Sequence, residues 1–523
     1  MIRDMTIGRP EIVVAFVGAL GTPRDAAIDY LKSGLETLGY KGMIVGVSKL
    51  LSGVAGLPEL ETSPENQRIK THMEAGTELC VQMQRGDAMA LLAMLQIREL
   101  RKKRTSDPMQ PAQDVAYILT SLKRPDEVKT LRKVYGDHFY LVGTWANREK
   151  RTKDLSKKLA SSDAKLQGKS YLAEAEELIT IDESEEHRWL GQNVRKTFPL
   201  ADFFVDASTP TGACSQIDRF IKLLFGHPCI TPTRDEVGMF HAEAAKLRSG
   251  ALGRQVGAAL LREDDGDLLA VGMNEVPRSG GGHYWAGDSN DSREYVLGED
   301  SSDVHKRILV RQVLKALLDA KWISSELGND LNHLVKEALK DEVDESKGTR
   351  DLGPLETTWL LNLTEFGRDV HAEMSAIVSA ARNGVSLRGS HLCCTTFPCH
   401  NCTKHIIAAG IKRVVYIEPY EKSFAGEFHA DAIKLDSATP TECCYSHVRF
   451  DPFSGVAPRR YQSWFTMATR KDEATGKAIP WEPQGAVPRF RTVDSGYTIR
   501  EFEAVSALVE LGIVERPQDE EPN

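Results

Sequence analysis

The stretch on which the reading of this chain turns is His371-Ala-Glu-Met-Ser-Ala-Ile-Val-Ser-Ala-Ala-Arg-Asn-Gly384, followed by Leu392-Cys-Cys-Thr-Thr-Phe-Pro-Cys-His-Asn-Cys402. Met374, Ile377, Val378 and Ala381 recur at helical spacing and Gly384 stops the run, so His371 and Glu373 are predicted in the first turn of an amphipathic helix. Leu392 to Thr396 reads as a short buried strand. Pro398 breaks it, and a second helix is predicted from about Cys399 to Ala409, closed by Gly410. Three potential ligands, His371, Cys399 and Cys402, therefore gather at two helix starts, where the helix dipole makes thiolates easiest to form. One histidine and two cysteines leave the fourth tetrahedral position of a zinc ion open, as in a catalytic rather than a closed structural site.

Glu373 stands two positions from His371, within reach of a water in that open position without being a ligand. The expected role is a proton shuttle that takes a proton from the water, protonates a pyrimidine N3 and helps ammonia leave. A structural zinc knuckle or a pair of core cysteines would explain Cys-x-x-Cys alone. The added His-Ala-Glu, the proline and the strand between them match the signature of zinc nucleobase deaminases. The segments His371 to Gly384, Thr395 to Cys402 and Ala409-Gly-Ile-Lys-Arg-Val-Val-Tyr416 together resemble the core of deoxycytidylate deaminases. Upstream, Arg254-Gln-Val-Gly-Ala258 and Gly272-Met-Asn-Glu-Val-Pro277 resemble that family's first core strand and ribose-binding loop, and the likeness implies a sugar hydrogen bond for Asn274.

The whole sequence has 523 residues, 41% hydrophobic and 27% charged, which suits a protein of two to three globular domains. No apolar run approaches membrane-spanning length, no signal-like stretch precedes Glu11, and nine cysteines with two in a metal role point to a reducing cytoplasm. A net charge of -9 and 7% aromatic residues argue against a polynucleotide editor, which needs a basic groove with stacking rings.

The fold class expected is α/β throughout. Residues 1–230 are read as a doubly wound, P-loop, nucleotide kinase-like domain. Ile12 to Val17 is a buried parallel strand, Asp25 to Leu38 a helix, and Gly18-Ala-Leu-Gly-Thr22 the phosphate-loop-like turn between them. Gly18, Gly21 and Thr22 are the candidate nucleotide or effector contacts. Pro23 and Arg24 stand where a phosphate loop needs Lys followed by Ser or Thr, so binding or regulation is expected rather than phosphoryl transfer. Gly76 to Arg98 reads as one helix; Ala116 to Val128 and Phe139 to Gly143 supply two more strands with a helix between them, and Leu200 to Val205 another strand. Arg148, Lys150, Arg151, Lys157 and Lys158 belong either to a basic lid that meets phosphates or to a solvated helical pair.

Gly226-His-Pro-Cys-Ile-Thr-Pro-Thr-Arg234 places a boundary near 230. Residues 231–523 are read as a cytidine deaminase-like α/β/α domain with a helical insertion at about 285–368 and a C-terminal extension. It opens with a helix from Asp235 that carries a structural look-alike, His241-Ala242-Glu243. Val256 to Arg262 and Leu268 to Met273 form a hairpin around Asp265-Gly266. Arg278, beside the glycine-rich Ser279 to Gly282, is the expected phosphate contact, and His283 is more easily a loop residue than a ligand. The insertion is helical from about Asp303 to Leu339, with a mobile charged flank at Asp341 to Arg350. Tyr416 and Tyr420 are expected near the substrate. Cys443-Cys444 with His447 is a conceivable second metal site.

A kinase-like domain fused to such a core, with Val448 to Tyr461 beyond it, resembles the two-domain bacterial antiviral deoxycytidylate deaminases. The resemblance implies zinc-dependent conversion of free dCTP and dCMP to dUTP and dUMP, depletion of a phage DNA precursor, homo-oligomers and, in some members, inhibition by a small RNA. A housekeeping dCMP deaminase with a regulatory nucleotide-binding domain is the alternative.

Overall fold

The computed structural model describes residues 9–163, 170–323, 330–363, 365–419, 423–435, 447–466, 469–489 and 496–514. The chain forms two compact units, Met1–Pro232 with Glu345–Gly348 and Ser454–Asn523, and Thr233–Asp344 with Thr349–Phe453.

In the first unit, β1 (Ile12–Val17), β2 (Lys41–Val45), β3 (Val115–Leu122), β4 (Phe139–Trp145) and β5 (Phe203–Asp206) lie parallel in the order β5-β4-β1-β3-β2. All six residues of β1 are buried, which is why its sequence is a continuous apolar run rather than an alternating one. Asp25–Thr37 and Pro125–Tyr135 are the helices that follow β1 and β3. The single helix expected over Gly76 to Arg98 is two, Glu65–Gln82 and Ala88–Thr105. The break falls where Gln84 takes a left-handed φ of 51° and Arg85 bonds Asp87 at 2.8 Å. The basic segment is a packed helical pair, Arg148–Ser162 and Leu172–Glu183. Arg148 and Arg151 pair with Glu183, Lys150 with Asp154 and Lys158 with Glu65, so four of the five proposed lid cations already face carboxylates.

In the second unit, β6 (Gly257–Leu261) and β7 (Leu268–Met273) form the expected antiparallel hairpin. β6 pairs antiparallel with β10 (His391–Thr396), after which β11 (Arg413–Glu418), β13 (Val448–Pro452) and β12 (Ile433–Leu435) continue in parallel. The remaining strands, β8 (Asp341–Asp344) and β9 (Thr349–Leu352), make a separate hairpin where a mobile flank was expected. Opposite charges hold it: Nε and Nη2 of Arg350 donate to the two carboxylate oxygens of Asp341, each at 2.7 Å, and Lys340 reaches Asp351 at 2.7 Å. The insertion's helices are Ser301–Asp319 and Leu331–Ala338.

Two glycines set the layering of this sheet. A Cβ on Gly272 would lie 2.2 Å from the Ala372 carbonyl, and one on Gly257 1.9 Å from the Ala242 carbonyl. Gly272 pairs with Ala258 across the hairpin, and successive strand residues face opposite sides, so Gly272 and Gly257 look out of opposite faces. The helices Ala372–Arg382 and Arg234–Lys246 therefore cover the two faces of β6-β7 at backbone contact distance.

The expected 231–523 span is corrected at its C-terminal side. From Ser454 the chain belongs to the first unit, where β14 (Gly455–Val456) pairs antiparallel with β5. The physical reason is burial: Trp464 is wholly enclosed among Tyr140, Phe203 and Phe220. Tyr497–Glu510 then brings Glu501 to Arg101 at 2.5 Å, while Glu11 holds the same guanidinium at 2.6 Å and the Tyr135 hydroxyl donates to Glu501. Arg101 and Glu501 are both fully buried. Removing Glu501 leaves Glu11 to balance the charge of Arg101 but takes the acceptor from buried guanidinium donors and the Tyr135 hydroxyl. Glu501→Ala is expected to destabilise the first unit by about 1–3 kcal/mol, seen as an earlier denaturant midpoint. An unchanged midpoint would remove this network from the account of stability.

Candidate metal centre

His371 and Cys399 are the N-cap residues of the helices Ala372–Arg382 and His400–Ala408, and Cys402 lies in the first turn of the second. The first helix is fixed by Ala372, Ala376 and Ala380, small residues buried in the core of the unit, which keep its N-terminus close to the sheet. The second starts just after β10 ends at Thr396, so the strand delivers Cys399 to the same spot.

The Nδ1 of His371 lies 3.3 Å from Cys399 Sγ and 3.5 Å from Cys402 Sγ, and the three donor atoms all lie within 4.8 Å of one another. Tetrahedral zinc with bonds of about 2.0–2.1 Å to nitrogen and 2.3 Å to sulfur requires N···S separations of about 3.6 Å. The donors thus already stand close to ligand spacing. Their protonation points the same way: the Cys402 thiol hydrogen-bonds Cys399 and lowers the Cys399 pKa to about 4, while the hydrogen bond to Cys399 raises His371 to about 9. A divalent cation among them would replace those shared protons. Bound by three protein ligands, zinc supplies Lewis acidity that brings the pKa of a water toward neutrality.

Glu373 is buried, and burial raises its carboxyl to about 6, poised to take and return a proton near neutral pH. It is outside the three-donor cluster, as its assigned role requires. His371, Glu373 and Cys399 open into a cavity of about 200 Å³ whose wall includes Arg254, Val256, Asn274, Thr396 and Phe397.

The other proposed site residues fare unevenly. Asn274 lines this cavity, but its Oδ1 accepts from the Val256 amide and its Nδ2 donates to the Arg254 carbonyl, both at 2.7 Å. Its first task is to pin the start of β6. Arg278 is absent from the cavity wall and pairs with Asp288 at 3.2 Å. Its glycine loop closes on itself through Arg278 N–H to Gly282 O and Gly281 N–H to Arg278 O. Tyr416 is a packing residue, buried edge-on against Phe397. Tyr420, Cys443 and Cys444 lie outside the described residues. His283 bonds Ser375 through Nε2 at 2.7 Å, and among the described residues the metal-type cluster includes neither it nor His241.

Two contributors went unassigned in the sequence. Among the described residues Arg254 is the one arginine or lysine on the cavity wall, held by Thr396 and Glu418 at 2.7 and 2.6 Å, and Phe397 is its aromatic surface. Both lie inside the segments quoted for the resemblance, Arg254 to Ala258 and Thr395 to Cys402, which was the available signal.

In the first unit, a Cβ on Gly18 would fall 2.4 Å from Thr144 Oγ1. Gly21 has φ +82° and faces the Arg151 carbonyl at 2.6 Å from a built Cβ. Two of the turn's amides are engaged, Leu20 N–H by the Asp182 carboxylate at 2.7 Å and Thr22 N–H by the Ala19 carbonyl at 3.1 Å. A carboxylate thus takes a donor that a phosphate cradle would use.

These features have a counterpart among known proteins. Residues 232–418 match the cytidine and deoxycytidylate deaminase zinc-binding region. A deoxycytidylate deaminase of Enterobacteria phage T2 is 47% identical over 58 residues, 11% of this chain and 31% of that protein. The chain spans about a third of the length of the curated relatives it matches. Among solved structures, the dCMP deaminase from cyanophage S-TIM5 in complex with dCMP and dUMP is 19% identical, with 43% of this chain and 99% of that one covered at a TM-score of 0.22. A shikimate kinase from Bacteroides thetaiotaomicron is 10% identical, covering 41% and 98% at 0.24.

One zinc per chain is expected by elemental analysis, with Cys402→Ala losing metal and activity together. Full activity in metal-free protein would exclude this site from the reaction.

Proposed function

We propose that the second unit hydrolyses free deoxycytidine nucleotides, converting dCMP and dCTP to dUMP and dUTP with release of ammonia. The observation that carries this reading is the buried Glu373 beside the His371, Cys399 and Cys402 donors on the wall of a cavity of small-ligand size. Glu373 takes a proton from the attacking water, passes one to N3 of the cytosine ring, and returns one to the departing amine as ammonia. Phe397 offers its ring to the base.

Arg254 supports a phosphorylated substrate. Its side chain is 46% exposed and its pairing with Glu418 is solvent-accessible, an arrangement worth only about 0–1 kcal/mol. A phosphate offers the same guanidinium a bidentate acceptor of higher charge, so exchange of Glu418 for substrate phosphate is favourable. A mouth cation of this kind accepts mono- or triphosphate, whereas Arg278 is directed elsewhere.

In the cell this activity lowers dCTP and raises dUMP, and we assign it to defence against phage. The antiviral role, homo-oligomerisation and control by a small RNA rest on the resemblance of the two-part sequence to antiviral deaminases.

Ammonia release from dCMP, dCTP, deoxycytidine and dAMP, measured separately, tests the reading. Both deoxycytidine nucleotides are expected to react, with deoxycytidine poorer by roughly tenfold or more in kcat/KM. Glu373→Gln should retain zinc and lose at least about 10²-fold in kcat, and Arg254→Gln should weaken use of dCMP while sparing deoxycytidine. Equal use of deoxycytidine and dCTP would end the nucleotide assignment. Undiminished phage resistance in a Glu373→Ala strain would leave a housekeeping enzyme.

A further inference from the structure

The first unit contains a cavity of about 160 Å³ that the deaminase reading does not use. Its walls come from residues after β1 (Leu20, Arg24), after β2 (Val47, Ser48) and at the end of β3 (Thr120, Ser121, Lys123). The neighbours β1 and β3 pass the chain in opposite directions, β1 toward β2 and β3 across to β4. Such a reversal opens a crevice at the carboxyl ends of parallel strands, the place where open α/β sheets take ligands.

The charges in this crevice do not cancel. Asp182 receives Lys123 on one carboxylate oxygen at 2.6 Å and the Leu20 amide on the other at 2.7 Å. Arg124 faces Glu127, and Arg68 faces Glu65. Arg24 remains: among the described residues its guanidinium makes no hydrogen bond and no ion pair within 4 Å, although burial lowers its pKa and Asp182 and Asp25 are near enough to oppose that shift. A partly buried, unmatched guanidinium is an expensive group to keep unless something anionic meets it. His72 stands on the same wall with Nδ1 engaged by the Arg68 carbonyl, which leaves Nε2 available, and the Thr120 and Ser121 hydroxyls add further donors. Leu51, Ile69, Met73 and Met89 add an apolar, soft surface to the lining.

We propose that this crevice binds a nucleotide, its phosphate against Arg24 and its base against the methionine-lined wall. Methionine adapts to flat ligands, and the combination of one apolar wall with a few convergent polar groups is that of a small-molecule site. The contact is made by side chains beyond the glycine turn, two of whose amides are already engaged by Asp182 and Ala19.

Isothermal titration calorimetry on the full-length, zinc-loaded Glu373→Gln protein tests the proposal, with dGMP and inorganic pyrophosphate as probes. Neither probe carries cytosine, so the outcome is independent of the deaminase assignment. Binding of dGMP is expected, weakened roughly tenfold or more by Arg24→Gln, largely restored by Arg24→Lys, and unaffected by Arg254→Gln in the other unit. Because the Arg24 guanidinium donates no hydrogen bond among the described residues, Arg24→Gln should unfold as the parent does. Absence of binding at millimolar dGMP, or dGMP affinity indifferent to Arg24→Gln, overturns the site. Equal affinity for pyrophosphate and dGMP overturns its assignment to a nucleotide.

Discussion

The second unit rests on a steric allowance: the absence of a side chain on Gly272, where a Cβ would come within 2.2 Å of a carbonyl in the helix Ala372–Arg382. That helix carries His371 at its cap and Glu373 in its first turn, so its distance from the sheet sets the distance of both groups from Cys399 and Cys402. A side chain at this position would force the helix away from the strand and carry both groups with it. Ala372, Ala376 and Ala380 continue the same rule, since small side chains keep the helix axis low over the strands.

Electrostatics then divides the labour between neighbours of similar chemistry. Cys399 and Cys402 share a helix start and are driven to low and high pKa by the hydrogen bond between them. Cys393 and Cys394, a few residues earlier, are buried in β10 and pushed upward by desolvation. What sets Cys399 apart from the packing thiols is its hydrogen bonds to Cys402 and His371, whereas desolvation leads in β10.

What the sequence disclosed follows the range of the interaction concerned. β1 was readable to the residue because full burial leaves an unbroken apolar run, and the ligand set was readable because helix starts and a proline punctuate it. The Gly76 to Arg98 helix was overextended, since a two-residue reversal at Gln84 and Arg85 leaves the apolar rhythm on either side intact. Tyr416 was misplaced because a strand-end aromatic looks alike whether it packs on Phe397 or faces a ligand. Arg278 attracted attention through its glycines, while Arg254, quoted within Arg254-Gln-Val-Gly-Ala258 but given no role there, acquired one only once Asn274, Thr396 and Glu418 were seen to converge on it. Least legible was the return of Ser454 onward to the first unit. Glu501 meets Arg101 across 400 positions, a distance over which no local pattern carries information.

That return makes the second unit an insertion within the first, with consequences for biogenesis. On a translating ribosome, residues 233–453 are complete before Trp464 and Glu501 exist. The first unit must wait with its Tyr140 and Phe203 surface uncovered and Arg101 holding only Glu11 of its two carboxylate partners, exposed to chaperones and proteases for as long as synthesis continues. Truncation or ribosome stalling near the end of the message would therefore yield a finished zinc unit tethered to an unfinished partner.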